Sequence, residues 1–154
     1  MYLAFNFDQI NFSRFFITDV TRNTVMDNSI FKRLTYSTED ITLNGLCVRC
    51  NFDAYNIDKY YAKYKCTFDQ VINRNVLLNI MTLERNILEK NIVENKSPRF
   101  SIAEQLNSGF IKVFLENNIL NYDSNHILLK ISGIWESTEE YGLTFKFIVT
   151  SHQL

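Results

Sequence analysis

Apolar and polar residues alternate with a period of two along most of this chain and shift to a period of three to four once, near its middle. "FSRFFITDVTRNTV" and "SIFKRLTYS" are rich in Phe, Ile, Val, Thr and Tyr, which suit a pleated surface, and "MDN" breaks them. "DITLNGLCVRCNF" predicts the next strand, with Gly45 marking a bulge or a sharp bend. "DKYYAKYKCTF" predicts a third strand, with Lys59, Tyr61, Lys63 and Lys65 on one face and Tyr60, Ala62, Tyr64 and Cys66 on the other.

From Val71 to about Ile92 the pattern changes. Val76, Leu77, Ile80, Met81, Leu83, Ile87, Leu88 and Ile92 recur mostly by threes and fours, and Arg74, Glu84, Arg85, Glu89 and Lys90 fill much of the rest. This predicts the only long helix, capped by Asp69 or Asn73 and closed off before Pro98. "SIAEQLNSG" is one or two further helical turns, followed by a strand in "FIKVFL". "HILLKISGIW" and "YGLTFKFIVT" form a final pair joined by "ESTEE". In this pair Ile127, Leu129, Ile131, Gly133 and Trp135 share one face, as do Leu143, Phe145, Phe147 and Val149, so both faces point to a core. Lys130 and Lys146 point the other way and read first as solubilising positions.

Strands, one helix and more strands match the order of an OB fold, a five-stranded Greek-key barrel with a helix between its third and fourth strands. The fold class is therefore mainly β with one long helix. An α+β open antiparallel sheet with one helix is the alternative. At 154 residues, without a linker or low-complexity tract, the chain predicts one domain over 1–154 that needs no metal or disulfide to fold. Only 4 glycines and 1 proline are present, so Asn, Asp and Ser must make the turns, as in "ENNILNYDSNH".

Sixteen basic and 17 acidic residues give a net charge of −1, which excludes coating nucleic acid by bulk charge but leaves room for a local basic patch. "MYLAFNFDQINF" lacks the features of a signal peptide, and no apolar run approaches the roughly 20 residues of a membrane span. An intracellular place, nucleus or cytoplasm, and no membrane partner are expected. The three cysteines then read as reduced thiols. "CVRC" has the spacing of half a zinc or redox site. Within a strand, however, residues three apart face opposite ways, so Cys47 and Cys50 read as buried thiols and no metal is expected.

Catalysis finds little support. There is no G-x-S-x-G, P-loop, G-x-G-x-x-G or H-E-x-x-H pattern, and the only histidines are His126, in an expected turn, and His152. The acidic pairs Glu39 with Asp40 and Glu139 with Glu140 fall in polar turns and read as solvated charge. No enzymatic activity and no cofactor are expected.

A single nucleic-acid strand needs cations for its phosphates and rings for its bases. The candidates are Lys59, Tyr61, Lys63 and Lys65 on the third strand, Arg49 on the second, and Arg33 and Tyr36 at the end of the first. The plain alternative is that lysines protect an exposed strand edge and tyrosines simply favour strands.

"SIFKRLTYSTEDITLNGL" with "ILLKISGIWESTEEYGLTFKF" resembles parts of the small single-stranded-DNA-binding proteins of large DNA viruses and of virus-like elements in invertebrate genomes. That resemblance implies an OB fold and non-specific single-strand binding in viral DNA replication or recombination. Single-stranded DNA, or else RNA, would be the ligand, with further copies of the chain or replication proteins as partners. The rival function is a protein-interaction module or viral adaptor that binds no nucleic acid.

Overall fold

The computed structural model describes residues 3–22, 28–116 and 125–151. Strands β1 (Ala4–Phe5), β2 (Phe15–Arg22), β3 (Ile30–Ser37), β4 (Thr42–Asn44) and β5 (Leu46–Cys50) come first. Then follow β6 (Tyr55–Tyr60), β7 (Lys63–Phe68), helix α1 (Arg74–Lys90), β8 (Ser97–Arg99), helix α2 (Ser101–Asn107), β9 (Phe110–Leu115), β10 (Asn125–Glu136) and β11 (Glu140–Ser151). The "MDN" break and the "ENNILNYDSNH" turn lie largely outside the described residues, as does His152. His126 sits in β10, not in a turn.

The main path across the sheet runs β1, β5, β10, β11, β9, β7, β6. The long β10–β11 pair is antiparallel, while β8 and β9 lie parallel to β11 and β1 lies parallel to β5. Among the described residues β6 pairs only with β7, so the path ends there without returning to β1. The mainly β class therefore holds, in a mixed, unclosed sheet. The described strands form neither a closed five-stranded Greek-key barrel nor a purely antiparallel sheet. Among the described residues two α-helices are present, of 17 and 7 residues, the shorter one formed by "SIAEQLN".

One edge of β10 serves two strands. Ile127 to Ile131 pair with β5 and Gly133 to Glu136 pair with β3, with the register shifting between Ile131 and Gly133. The shift moves Ile134 into the core, whereas the unbroken alternation put Gly133 and Trp135 there. Two glycines make the crossing compact. A Cβ on Gly133 would lie 2.2 Å from the Lys32 carbonyl oxygen, and one on Gly45, which has φ +82°, would lie 2.6 Å from that of Ile131. Gly45 is thus the sharp bend the sequence predicts, between β4 and β5.

One face of the sheet is apolar and meets the helices. Leu77, Ile80, Leu83, Ile87 and Leu88 of α1 are buried with Ile111, Val113, Leu129, Phe147 and Val149 in one cluster. Burying five such side chains contributes on the order of 10 kcal/mol before conformational entropy is subtracted. Asp69 caps the turn into α1, where its Oδ1 accepts from the N–H groups of Val71 at 2.8 Å and Ile72 at 2.9 Å. Asn73 instead ties Asp53 to the helix start, accepting from its N–H at 2.7 Å and donating to its carbonyl at 2.9 Å.

Glu84 is the exception to the helical pattern. It faces the core, fully buried, where its carboxylate accepts from the N–H groups of Ile102 at 2.9 Å and Ala103 at 3.0 Å, so α1 caps the start of α2. Burial raises its pKa and those two hydrogen bonds partly offset the rise. Glu136 is the opposite case, bound by Lys32 at 2.7 Å and Lys96 at 2.6 Å, and those hydrogen bonds hold its pKa below the usual carboxylate value.

Two pH effects of opposite sign follow. A raised folded-state pKa means that the contribution of Glu84 is full below its unfolded value and is lost as pH rises through the folded one, while Glu136 loses its contribution as pH falls. Urea unfolding of Glu84→Gln and the parent chain should show the difference in stability shifting toward the variant between about pH 4 and about pH 7. A flat difference would refute the burial argument. Glu84→Ala, which strands two buried donors, should cost about 1–3 kcal/mol near pH 5.

Candidate nucleic-acid interface

The second face of the sheet carries the chemistry. Alternation along β9 sends Ile111 and Val113 to the core and leaves Phe110, Lys112 and Phe114 exposed on the other side. Cross-strand register brings further cations to the same side, with Lys65 of β7 opposite Lys112 and Lys146 of β11 opposite Lys130 of β10. The parallel register of β9 and β11, Val113 with Phe147, puts Lys112 level with Lys146. The four lysines form one row across four adjacent strands, which at about 4.8 Å per strand spans about 14 Å.

Rings and cations are interleaved in this row. The Lys65 ammonium lies 4.0 Å from the Phe110 ring centroid, and those of Lys112 and Lys146 lie 4.9 Å and 5.2 Å from Phe114. Two ammonium groups therefore converge on a single ring. Among the described residues none of Lys63, Lys65, Lys112 and Lys146 is in an ion pair, and Asp58 lies opposite Lys65 on this face. Like charges set directly opposite each other on neighbouring strands destabilise a sheet, so this face is electrostatically prepared for an anion.

The residues expected from sequence divide. "DKYYAKYKC" is not one strand but the tip of a hairpin, in which β6 and β7 are joined by Tyr61 and Ala62. A turn reverses the chain, so the supposed lysine face splits. Lys63 and Lys65 lie on the outer face with Tyr60, whereas Lys59 pairs with Tyr64 on the side of Ile57 and Cys66. Tyr61 occupies the turn with φ +55° and is highly exposed. Arg49 reaches the outer face at its far side, opposite Leu128, with its Nη1 3.4 Å from Asn6 Oδ1.

Tyr36 and Arg33 do not join the site. Tyr36 is 2% exposed, its ring packs on Phe5 and Phe15, and its hydroxyl accepts from the Asn11 N–H at 3.0 Å, so it is a core residue and no stacking platform. Arg33 lies past the register shift, opposite Gly133, with its Nε 3.5 Å from Asp19. Phe110, Lys112 and Phe114 are not among the residues expected from sequence, although the alternation of "FIKVFL" is the signal that marks them.

The cysteines make no pincer. Cys47 lies across from Lys130 on the outer side, whereas Cys50 and Cys66 belong to the core cluster. Burial raises all three thiols, Cys66 to about 12 and Cys50 further, while nearby Lys130 partly offsets the rise at Cys47. A shallow groove beside β8 and α2 offers no alternative centre. Its Arg99 is shared between Glu104 at 3.6 Å and Glu140 at 3.9 Å, and no histidine or cysteine lines it. No helix of the described residues is long and apolar enough to cross a membrane. Comparison with protein-family models, with curated proteins and with solved structures finds no match.

Two measurements check this geometry. A thiol-specific disulfide reagent at neutral pH should label the native protein slowly, with Cys47 first, and all three thiols rapidly in denaturant; fast native labelling of Cys50 or Cys66 would show that they are not buried. Tyr61→Gly should raise stability by about 1 kcal/mol, or about 2–4 °C in Tm, because a left-handed backbone costs a ring-bearing residue more than glycine. A lowered Tm would contradict the turn.

Proposed function

We propose that the chain binds single-stranded nucleic acid, DNA in the first instance, with little sequence preference. The observation that carries this reading is the pair of lysine–lysine juxtapositions, Lys65 with Lys112 and Lys130 with Lys146, aligned in one row beside the exposed rings of Phe110 and Phe114. Phosphates meet the ammonium groups and relieve their mutual repulsion. Bases stack on the rings, and since each base has a π-face, stacking does not require a particular sequence.

The net charge of −1 fits a local patch of this kind better than bulk electrostatic coating. The likeness to small viral single-strand binders supports the same reading and assigns it to replication or recombination. An OB-type ancestry belongs to that likeness, but the binding chemistry needs only an open sheet with a basic, aromatic face. A second reading, as a protein-interaction module, draws on Val71, Ile72 and Leu78, which stand exposed around the start of α1.

Replacing Lys65, Lys112 and Lys146 together by Gln tests the reading. The slope of log affinity for oligo-dT against log salt should shrink by about 0.7 per contact, or roughly 2 for all three. Phe114→Ala should weaken binding by about 1–3 kcal/mol and leave that slope unchanged. Arg74→Gln with Arg85→Gln, on the helix side, should change neither. Oligo-dT affinity that ignores the lysine and phenylalanine variants would overturn the proposal in favour of the protein-interaction reading.

A further inference from the structure

We propose that the tip of the β6–β7 hairpin is a base-stacking finger that extends the nucleic-acid path past the edge of the sheet and takes an unpaired base; the inference rests on the single-strand reading above. Tyr60 and Tyr61 are 61% and 84% exposed, and their rings meet edge to face with centroids 4.7 Å apart. Two adjacent large rings in water gain little from each other compared with what a flat apolar ligand would give them. They sit at the end of the last strand of the sheet, beyond which no described strand lies.

The backbone makes the position costlier still. Tyr61 holds φ +55° in a two-residue hairpin turn, where glycine or asparagine would relieve the strain, so the ring is kept at a conformational cost. Continuity with the basic face identifies the occupant. Tyr60 is the cross-strand partner of Lys63, which shares the outer side of β7 with Lys65, the first lysine of the row. A strand whose phosphates follow that row leaves the sheet at Lys63, and its next base meets the two tyrosines.

The geometry also selects the form of the ligand. Bases inside a duplex are already stacked on their neighbours and offer no free face to a ring, whereas a base on a single strand does. A lipid surface fits less well, since the turn continues with Ala62 and Lys63 and adds only a single methyl group to the apolar surface of the two rings. The finger therefore contributes preference for unpaired over paired strands. The lysine row alone, which meets only phosphates, supplies none.

Fluorescence anisotropy with labelled oligo-dT, an abasic oligomer of equal length and the matching duplex decides the point. The double variant Tyr60→Ser, Tyr61→Gly should lose roughly tenfold to hundredfold in affinity for oligo-dT, with its salt slope unchanged, and should bind the abasic oligomer and the duplex like the parent. Tyr60→Phe with Tyr61→Phe, which keeps both rings, should retain the parent affinity. Thermal unfolding of both variants guards against a folding defect, and the Gly substitution itself favours the turn. Parent-like oligo-dT affinity in the Ser/Gly variant, or an equal loss on the abasic oligomer, would overturn the finger while leaving the lysine row intact. Failure of the parent chain to bind any of the three would remove the single-strand reading and the finger together.

Discussion

The antiparallel ladder between β10 and β11 is the constraint on which the rest depends. It runs from Asn125 opposite Ser151 to Glu136 opposite Tyr141, and every other described strand joins the sheet through one of its two outer edges, directly or by way of a neighbouring strand. On one side β5 and β3 divide the edge of β10, and on the other β9 and β8 divide that of β11. Because side chains alternate along a strand, this ladder also fixes which residues face the helices and which face outward. Phe147 and Val149 are committed to the core, so Lys146 is committed to the opposite side. The same parity, carried through the register into β9 and β7, aligns the lysines.

A face made in this way is a by-product of the core and a property in its own right. Hydrophobic burial against α1 contributes the stability, and it tolerates like charges on the far side that each cost no more than about 1 kcal/mol. The cation–π contacts of Lys65, Lys112 and Lys146 offset part of that repulsion while holding rings and ammonium groups in one plane of access. Glu84 and Glu136 serve the scaffold, joining α1 to α2 and β3 to β10, and lie apart from this face.

Much of the scaffold was legible because it follows periodicity. The spacing of Leu77, Ile80, Leu83 and Ile87 announced α1, and the alternation of Leu143, Phe145, Phe147 and Val149 announced β11. What escaped the sequence depends on contacts between distant segments or on unusual turn chemistry. Nothing in "DKYYAKYKC" signals a turn, since Tyr and Ala replace the usual Gly or Asn, so a hairpin looked like one continuous strand. Tyr36 has the pattern of a surface ring, and only distant partners, among them Asn11, 25 residues earlier, whose N–H its hydroxyl accepts, explain its burial. Glu84 followed the polar pattern of α1, and only the start of α2 explains its burial. The parallel pairing of β9 with β11 has no local signature, yet it aligns Lys112 with Lys146. Of the expected ligand residues, Lys63, Lys65 and Arg49 share the outer face, and Tyr61 stands at its margin.

Ultraviolet photo-crosslinking of the parent chain to oligo-dT, with the crosslinked peptides identified by mass spectrometry, tests most directly whether this face meets bases. Crosslinks on Phe110 and Phe114, both in the β9 peptide, are the predicted result, with the core ring of Tyr36 unlabelled. Crosslinks confined to other surfaces, such as the segment from Val71 to Leu78, or none at all under conditions that saturate binding, would contradict the account.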